Sequence, residues 1–130
     1  MGFYMEFDAK HNILRFTLEG EVTDAHLRDA YANAAKQIAA RGPSPGIWDM
    51  SRVTKSQISA DTIRDLANKP PVIPRGFMRI IVAPKDAHYG MMRMFQILGE
   101  TTRPDMQVVR TLQEAYDLLQ IDSPEFGAID

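Results

Sequence analysis

Polar side chains that could do chemistry follow the predicted strands of this 130-residue chain, at the points where it turns toward a helix. Asp49 and Ser51 follow one short apolar run, and Asp86 with His88 follows another. In parallel α/β sheets the strand-to-helix turns meet at one end of the sheet, where ligands usually bind. Beside helix N-termini, these residues could hold a phosphate or another anion, or offer a serine hydroxyl for phosphorylation.

The same residues also have a purely structural interpretation. Asp86 and Thr111 would cap helices, and Ser51 would satisfy backbone amides in a turn. The sequence has no glycine-rich phosphate loop, either GxGxxG or GxxxxGK followed by Ser or Thr. The residues therefore favour the structural interpretation and leave anion binding as the alternative.

The residue types and their spacing give little support for catalysis or metal binding. The chain has no cysteine, which excludes thiolate catalysis, disulfides and zinc-thiolate sites. His11, His26 and His88 show neither HxH nor HExxH spacing. Ser51, His88 and Asp86 could be drawn as a triad, but no serine lies in a GxSxG motif. We predict no catalytic residue, metal or cofactor, and an enzyme that uses these turns is the least favoured alternative.

Composition is that of an ordinary globular chain without a strong surface charge. Hydrophobic residues make up 45% and charged residues 25%, and the formal net charge is -2. The arginines are scattered without interleaved aromatic residues, so we do not expect nucleic-acid binding. The sequence shows no secretory signal and no apolar run long enough to span a membrane, which predicts a cytoplasmic protein.

Hydrophobic periodicity predicts the elements that would position these side chains. Five strands are predicted, at residues 3–8, 13–18, 47–50, 77–83 and 107–110. Four helices are predicted: 24–41, one from Ser59 to the residue before Pro70, 87–100, and one that begins after Thr111. The order β-β-α-β-α-β-α-β-α indicates an α/β domain with a mostly parallel five-stranded sheet and an antiparallel edge hairpin. We predict one domain over residues 1–121 and a loose tail over 122–130.

The predicted helix 87–100 is unusual because three of its methionines occupy positions 91, 92 and 94. Its inward stripe would contain Ala87, Met91, Met94 or Phe95, and Leu98. Its outward face would carry Tyr89, Met92, Arg93 and Gln96. The methionines could fill an uneven core, or they could form a partly exposed surface for a protein partner or a homodimer. The spacing leaves both interpretations open.

Three segments and the order of the elements resemble the SpoIIAA-like family of the STAS-like fold. The segments are residues 48–54 (WDMSRVT), 79–86 with 89–95 (RIIVAPKD and YGMMRMF), and 108–119 (VVRTLQEAYDLL). In the anti-sigma factor antagonists of this fold, a strand that ends in Asp-x-Ser leads to a helix whose first turn holds a phosphorylated serine. Asp49 and Ser51 match the first part, and Ser56 takes the acceptor position. Thr54 and Gln57 stand where the family has Asp and Gly.

The resemblance implies a non-enzymatic, cytoplasmic regulatory or protein-interaction domain, whose partner it does not identify and which could form a homodimer. The alternative is a small-molecule or lipid carrier, since some related folds bind apolar ligands. Two groups of residues are therefore candidates for function. The turn cluster consists of Asp49, Ser51, Ser56, Asp86 and His88, and the partner surface consists of Tyr89, Met92, Arg93 and Gln96.

Overall fold

The fold is a mixed α/β structure, as predicted, with one strand more than expected. The computed structural model describes residues 3–74, 76–101 and 103–129. Its strands are β1 (Phe3–Asp8), β2 (Ile13–Thr23), β3 (Gly46–Gln57), β4 (Arg79–Val82), β5 (Met106–Val109) and β6 (Gly127–Ala128). Its helices are α1 (Asp24–Arg41), α2 (Ala60–Ala67), α3 (Asp86–Leu98) and α4 (Leu112–Leu119). None of these helices is long and apolar enough to cross a membrane.

The sheet has the strand order β5-β4-β3-β2-β1-β6. β2 to β5 are parallel to one another, and β1 pairs antiparallel with both β2 and β6. Each crossover from β2 to β5 moves one strand in the same direction, so right-handed connections place α1, α2 and α3 on one face. The helix α4 packs on the other face through Ala115. The sheet is therefore covered on both sides, and each side has its own core.

Strand β3 is much longer than the predicted segment 47–50. Its second half pairs with residues 19–23 of β2 and extends the sheet as a two-stranded ribbon. The register shifts twice along this ribbon, and Gly20, between the two shifts, has φ 68°, which glycine adopts without strain. Val22 and Val53 are buried, while most of their neighbours on the ribbon are polar and partly exposed. That polarity is the reason why the predicted strands end at residues 18 and 50.

Side chains begin three of the four helices by capping their N-termini. Thr23 accepts a hydrogen bond from the amide of His26, at 3.3 Å, and its own amide donates to the His26 ring at 3.2 Å. Ser59 caps α2 in the same way, and Thr111 caps α4 by accepting from the amide of Glu114 at 3.1 Å. These bonds satisfy amides that have no partner within the helix. Thr111 is a cap that the sequence predicts.

The C-terminal segment, for which the sequence predicts a loose tail, contains a short strand. Gly127 and Ala128 pair with β1 as the edge strand β6. The ring of Phe126 lies 6.4 Å from that of Tyr116, and the Arg15 guanidinium lies 4.0 Å above the Phe126 ring. An aromatic side chain so placed buries apolar area, which offsets the entropy lost when the segment is ordered.

Asp8 organises the turn of the β1–β2 hairpin. Its carboxylate is fully buried and accepts hydrogen bonds from the amides of Lys10 and His11, at 3.0 and 3.2 Å. Its second oxygen lies 2.7 Å from Nδ1 of His11. Burial by itself would raise the pKa of Asp8, but the hydrogen bonds from the His11 ring and backbone outweigh it, so the pKa lies below the ordinary value of 3.8.

We expect Asp8→Ala to lower the free energy of unfolding by about 2 kcal/mol at pH 7, because two backbone amides and the His11 ring lose their acceptor. A depressed carboxylate pKa stabilises the fold above the unfolded value, and this stabilisation is lost as pH falls through the folded value. The difference between wild type and Asp8→Asn should therefore shrink below pH 3.8. Urea unfolding between pH 7 and pH 3 measures it. A difference that stays constant over that range would contradict this role of Asp8.

Candidate functional site

The first two residues of the turn cluster lie on β3 and contact each other. Asp49 is buried and pairs in register with Thr17 of β2 and Val82 of β4. Its Oδ1 accepts a hydrogen bond from the amide of Ser51 at 2.9 Å. The Ser51 side chain is exposed. This is the turn-like local bond that a short acidic side chain forms two residues before an amide.

Ser56 lies on the ribbon and not in the first turn of a helix. It pairs in register with Val22, and its side chain is half-buried. The helix α2 begins four residues later, and Ser59 is its N-cap. The phosphate acceptor implied by the resemblance would need an exposed hydroxyl near a helix start. The position of Ser56 on a paired strand does not provide this setting, and phosphorylation at Ser56 stays a prediction.

Asp86 and His88 lie on the first turn of α3 but have opposite environments. Asp86 is exposed, and its Oδ1 accepts from Nη1 of Arg110 at 2.7 Å. It is the first residue of the helix, and Lys85 occupies the N-cap position without a side-chain bond, so the predicted capping role of Asp86 is wrong. His88 is buried, and burial, followed by the charge of Lys85, lowers its pKa below 6.5.

The two halves of the turn cluster are not joined by direct bonds. Among the described residues, no hydrogen bond or ion pair joins Asp86 or His88 to Asp49 or Ser51. The contact near them is made by Lys85, the residue before Asp86. Its side chain donates a hydrogen bond to the carbonyl of Val53 in β3 at 2.8 Å. Nor does the described part of the chain group three acidic or histidine side chains that could hold a metal. These residues mostly serve their own local structure.

The residues of the partner surface differ in burial: one lies in the core and the others are partly or largely exposed to solvent. Met92 is 7% exposed and belongs to the core, so its predicted outward position is wrong. The Arg110 guanidinium lies 3.9 Å above the half-buried ring of Tyr89. Gln96 donates to the carbonyl of Met106 at 2.8 Å, and its side chain also meets that of Arg93. Arg93 is the member of this group that is fully exposed.

The phase of α3 explains this difference. Its buried residues are His88, Met92 and Phe95, at the spacing of four and three that one helical face requires. Ala87 and Leu98, both predicted to point inward, are exposed. Because apolar side chains surround much of this helix, the pattern did not determine which of them meets the sheet.

A cavity lies between the sheet and the three helices of the first face. Its volume is about 40 Å³. Its walls come from β2, β3, β4, α1, α2, α3 and two connecting segments. They are Leu18, Leu27, Tyr31, Trp48, Met50, Ile58, Ile63, Leu66, Val72, Arg79, Ile81, Met92 and Phe95. The lining is apolar except for the Tyr31 hydroxyl and one arginine.

That arginine, Arg79, is the first residue of β4 and is 5% exposed. It lies on the same side of the strand as Ile81, which also lines the cavity. Within the part of the chain that the structure describes, its Nε and Nη2 have no hydrogen-bond partner and it forms no ion pair. Burial and then the nearby charge of Arg103 lower the pKa of Arg79 to about 10. The side chain is still positively charged at neutral pH.

The neighbouring Arg103 is also buried but has a structural task. Its guanidinium donates to the carbonyls of Leu66, Ala67 and Lys69 at 2.8 to 3.0 Å. It also donates to the Tyr31 hydroxyl at 3.0 Å. Arg103 therefore holds the C-terminal end of α2 and the wall of the cavity, while the charge of Arg79 has no such partners.

The sequence contains a signal for Arg79 that no motif captures. Arg79 opens the run Arg-Ile-Ile-Val, whose continuous apolar character predicts a strand covered on both faces. An arginine inside such a strand must be buried, and buried charges are paired or functional. Arg103 gave no comparable signal, because its partners lie in α1 and α2, far away in sequence.

Comparison with known proteins identifies the fold. No protein-family model and no curated protein sequence matches the chain. Among solved structures, it resembles an uncharacterized protein of the DUF3478 family with a SpoIIAA-like fold, from Shewanella loihica PV-4. The TM-score is 0.58 and the identity 13%, over 90% of this chain and 91% of that one. This confirms the fold that the three sequence segments indicated: the protein has a SpoIIAA-like fold.

Proposed function

We propose that this protein is a non-enzymatic binding domain that holds a small, largely apolar molecule between its sheet and α1, α2 and α3. The observation that supports this proposal is the cavity, whose lining comes from both the sheet and the helices and is almost entirely apolar. Ligand sites are usually concave, mainly apolar and supplied with few polar groups. No residue of the turn cluster lines this cavity, so we do not assign the function to the turn cluster.

The packing around the cavity is consistent with a binding role. Protein interiors normally have few voids larger than a water molecule, because unfilled space costs dispersion energy. Here Trp48 and Phe16 stack with their ring centroids 4.8 Å apart, and Trp48 also lines the cavity. The wall is therefore built from large side chains, and the space lies beside a well-packed core.

Binding of 1-octanol, a neutral molecule with an apolar chain, tests the proposed function. We expect it to raise the melting temperature and to shift the NMR resonances of Leu66, Met92 and Ile81, which line the cavity. Val72 is half-buried at the cavity wall, so Val72→Trp should fill part of the space from a tolerant position. We expect this variant to bind octanol about tenfold more weakly, a loss of about 1.4 kcal/mol.

The matched control adds the same side chain on the opposite face of the sheet. Leu119 of α4 is half-buried and packs in the other core, so Leu119→Trp should leave octanol affinity unchanged. Equal loss in both variants would indicate a general effect on stability. Octanol that shifts only resonances outside the cavity, or that does not bind, would overturn the proposed function.

Protein interaction is the second candidate function. Ile97 and Leu98 are 57% and 47% exposed at the end of α3, close in sequence to Arg93 and Gln96. Exposed apolar side chains of this size are more often found at contact surfaces than elsewhere on a monomer. The predicted self-association would appear as a concentration-dependent mass in sedimentation experiments, and a constant monomer mass would count against it.

A further inference from the structure

We infer that the ligand of the cavity is a carboxylic acid with an apolar body, bound as its anion through Arg79. This inference rests on the proposed function and specifies its ligand. It starts from the positive charge of Arg79, which is buried and has no partner for Nε and Nη2 among the described residues. Removing an ion from water costs several kcal/mol unless an opposite charge and hydrogen bonds compensate for it.

The two unpartnered atoms of Arg79 have the geometry that recognises a carboxylate. Nε and Nη2 lie on the same edge of the planar guanidinium and donate in parallel. Carboxylate oxygens accept two such bonds side by side, which gives a short, charge-assisted pair. The unused donors therefore favour a flat anion with two adjacent oxygens over a neutral hydroxyl.

The charges around Arg79 also favour an anion. Arg103 is the charged group that acts on Arg79 most strongly, and its guanidinium lies 5.1 Å from the centre of the Phe95 ring, which lines the cavity. Tyr31 is the second ionisable neighbour, and its hydroxyl donates to the carbonyl of Pro70 at 2.6 Å. Asp105 lines a second, smaller pocket together with Arg79 and Arg103, and its carboxylate accepts a hydrogen bond from the amide of Gly76 at 2.9 Å. Two guanidinium groups against this one carboxylate create a positive potential at this end of the cavity.

The rest of the cavity wall indicates the chemical character of the uncharged part of the ligand. Beyond Arg79 and the Tyr31 hydroxyl, the lining consists of aliphatic, methionine and aromatic side chains. A fully charged or highly hydroxylated molecule would leave its polar groups without partners there. A carboxylate at Arg79 and a hydrocarbon body against Met50, Ile63 and Ile81 satisfy both parts of the site.

The experiment compares three probes that share one hydrocarbon chain: octanoate, 1-octanol and octylammonium. For wild type at pH 7, we expect octanoate to bind at least tenfold more tightly than octanol, and octylammonium to bind most weakly. Titration of octanoate labelled with carbon-13 at the carboxyl group should show a lower carboxyl pKa in the complex than in free solution. This readout depends on the charge of Arg79 and not on stability.

Two variants identify the residue responsible. In Arg79→Met, which keeps a similar length without charge, octanoate should lose its advantage while octanol still binds. Arg79→Lys keeps the charge but not the paired donors, so it should retain part of the preference, and it remains informative if Arg79→Met does not fold. Equal binding of octanoate and octanol to wild type would overturn the anion inference and leave the proposed function intact. Failure of all three probes to bind would overturn both.

Discussion

Replacing Arg103 with alanine should lower the free energy of unfolding by about 3 kcal/mol, one of the two largest effects that we expect in this chain. The side chain is 5% exposed and donates to three backbone carbonyls at the end of α2 and to the Tyr31 hydroxyl. In the alanine variant these oxygen atoms would lose the guanidinium that donates hydrogen bonds to them. It would also remove a positive charge from a helix C-terminus, where such a charge is favourable.

Urea unfolding monitored by circular dichroism measures the effect, and Arg28→Ala is the matched control. Arg28 also connects α1 to α2, through an ion pair with Asp65, but both side chains are about half exposed. An exposed pair of this kind contributes about 0 to 1 kcal/mol. If both variants lose the same stability, the buried hydrogen bonds of Arg103 contribute nothing beyond an ordinary surface contact.

Met92→Glu should lower the free energy of unfolding by about 3 kcal/mol or more. Met92 packs in the core with Phe95 and Met106 and lines the cavity. A carboxylate there would lose its hydration, which even a charge pair with Arg79 across the cavity would not fully offset, and the methionine contacts would be lost as well. Met92→Leu, which nearly conserves volume, should cost less than about 1.5 kcal/mol.

The control for this prediction is the same new side chain at the next position. Arg93 is exposed, so Arg93→Glu should change the unfolding free energy by less than about 0.5 kcal/mol. Thermal and urea unfolding of the two variants compare the environments directly. If Met92→Glu is as stable as Arg93→Glu, residue 92 lies on the surface, as the sequence pattern had suggested. Arg93→Glu is also the suitable variant for testing self-association, since it alters the partner surface without disturbing the core.

The long strand β3 shows which part of a strand the hydrophobic pattern of the sequence does not reveal. Its buried half, Ile47 to Met50, was recognised because it is apolar. Its polar half is held by backbone pairing with residues 19–23 of β2, about thirty residues away in sequence. A two-stranded ribbon requires few buried side chains, so it leaves little trace in the hydrophobic pattern.

The candidate site also has a part that the sequence indicated and a part that only the structure revealed. The sequence directed attention to Asp49, Ser51 and Asp86, because acids and serines near predicted helix starts are the usual candidates. Two of these residues make a local bond to each other, and the third pairs with Arg110. The arginine that lines the cavity had been set aside with the other scattered basic residues. Its burial follows from the run Arg79–Val82, but the absence of a partner for its charge is visible only in the three-dimensional structure.

The sequence by itself determined the order and type of the main elements, the cap at Thr111 and the SpoIIAA-like fold. These depend on periodicity and on contacts between close neighbours, which local residue types largely fix. The tertiary structure decided that Met92 points inward, that the C-terminal segment joins the sheet, and that Arg79 closes an apolar cavity. Each of these depends on packing between elements far apart in the chain, so the physical meaning of each residue follows from its surroundings in space.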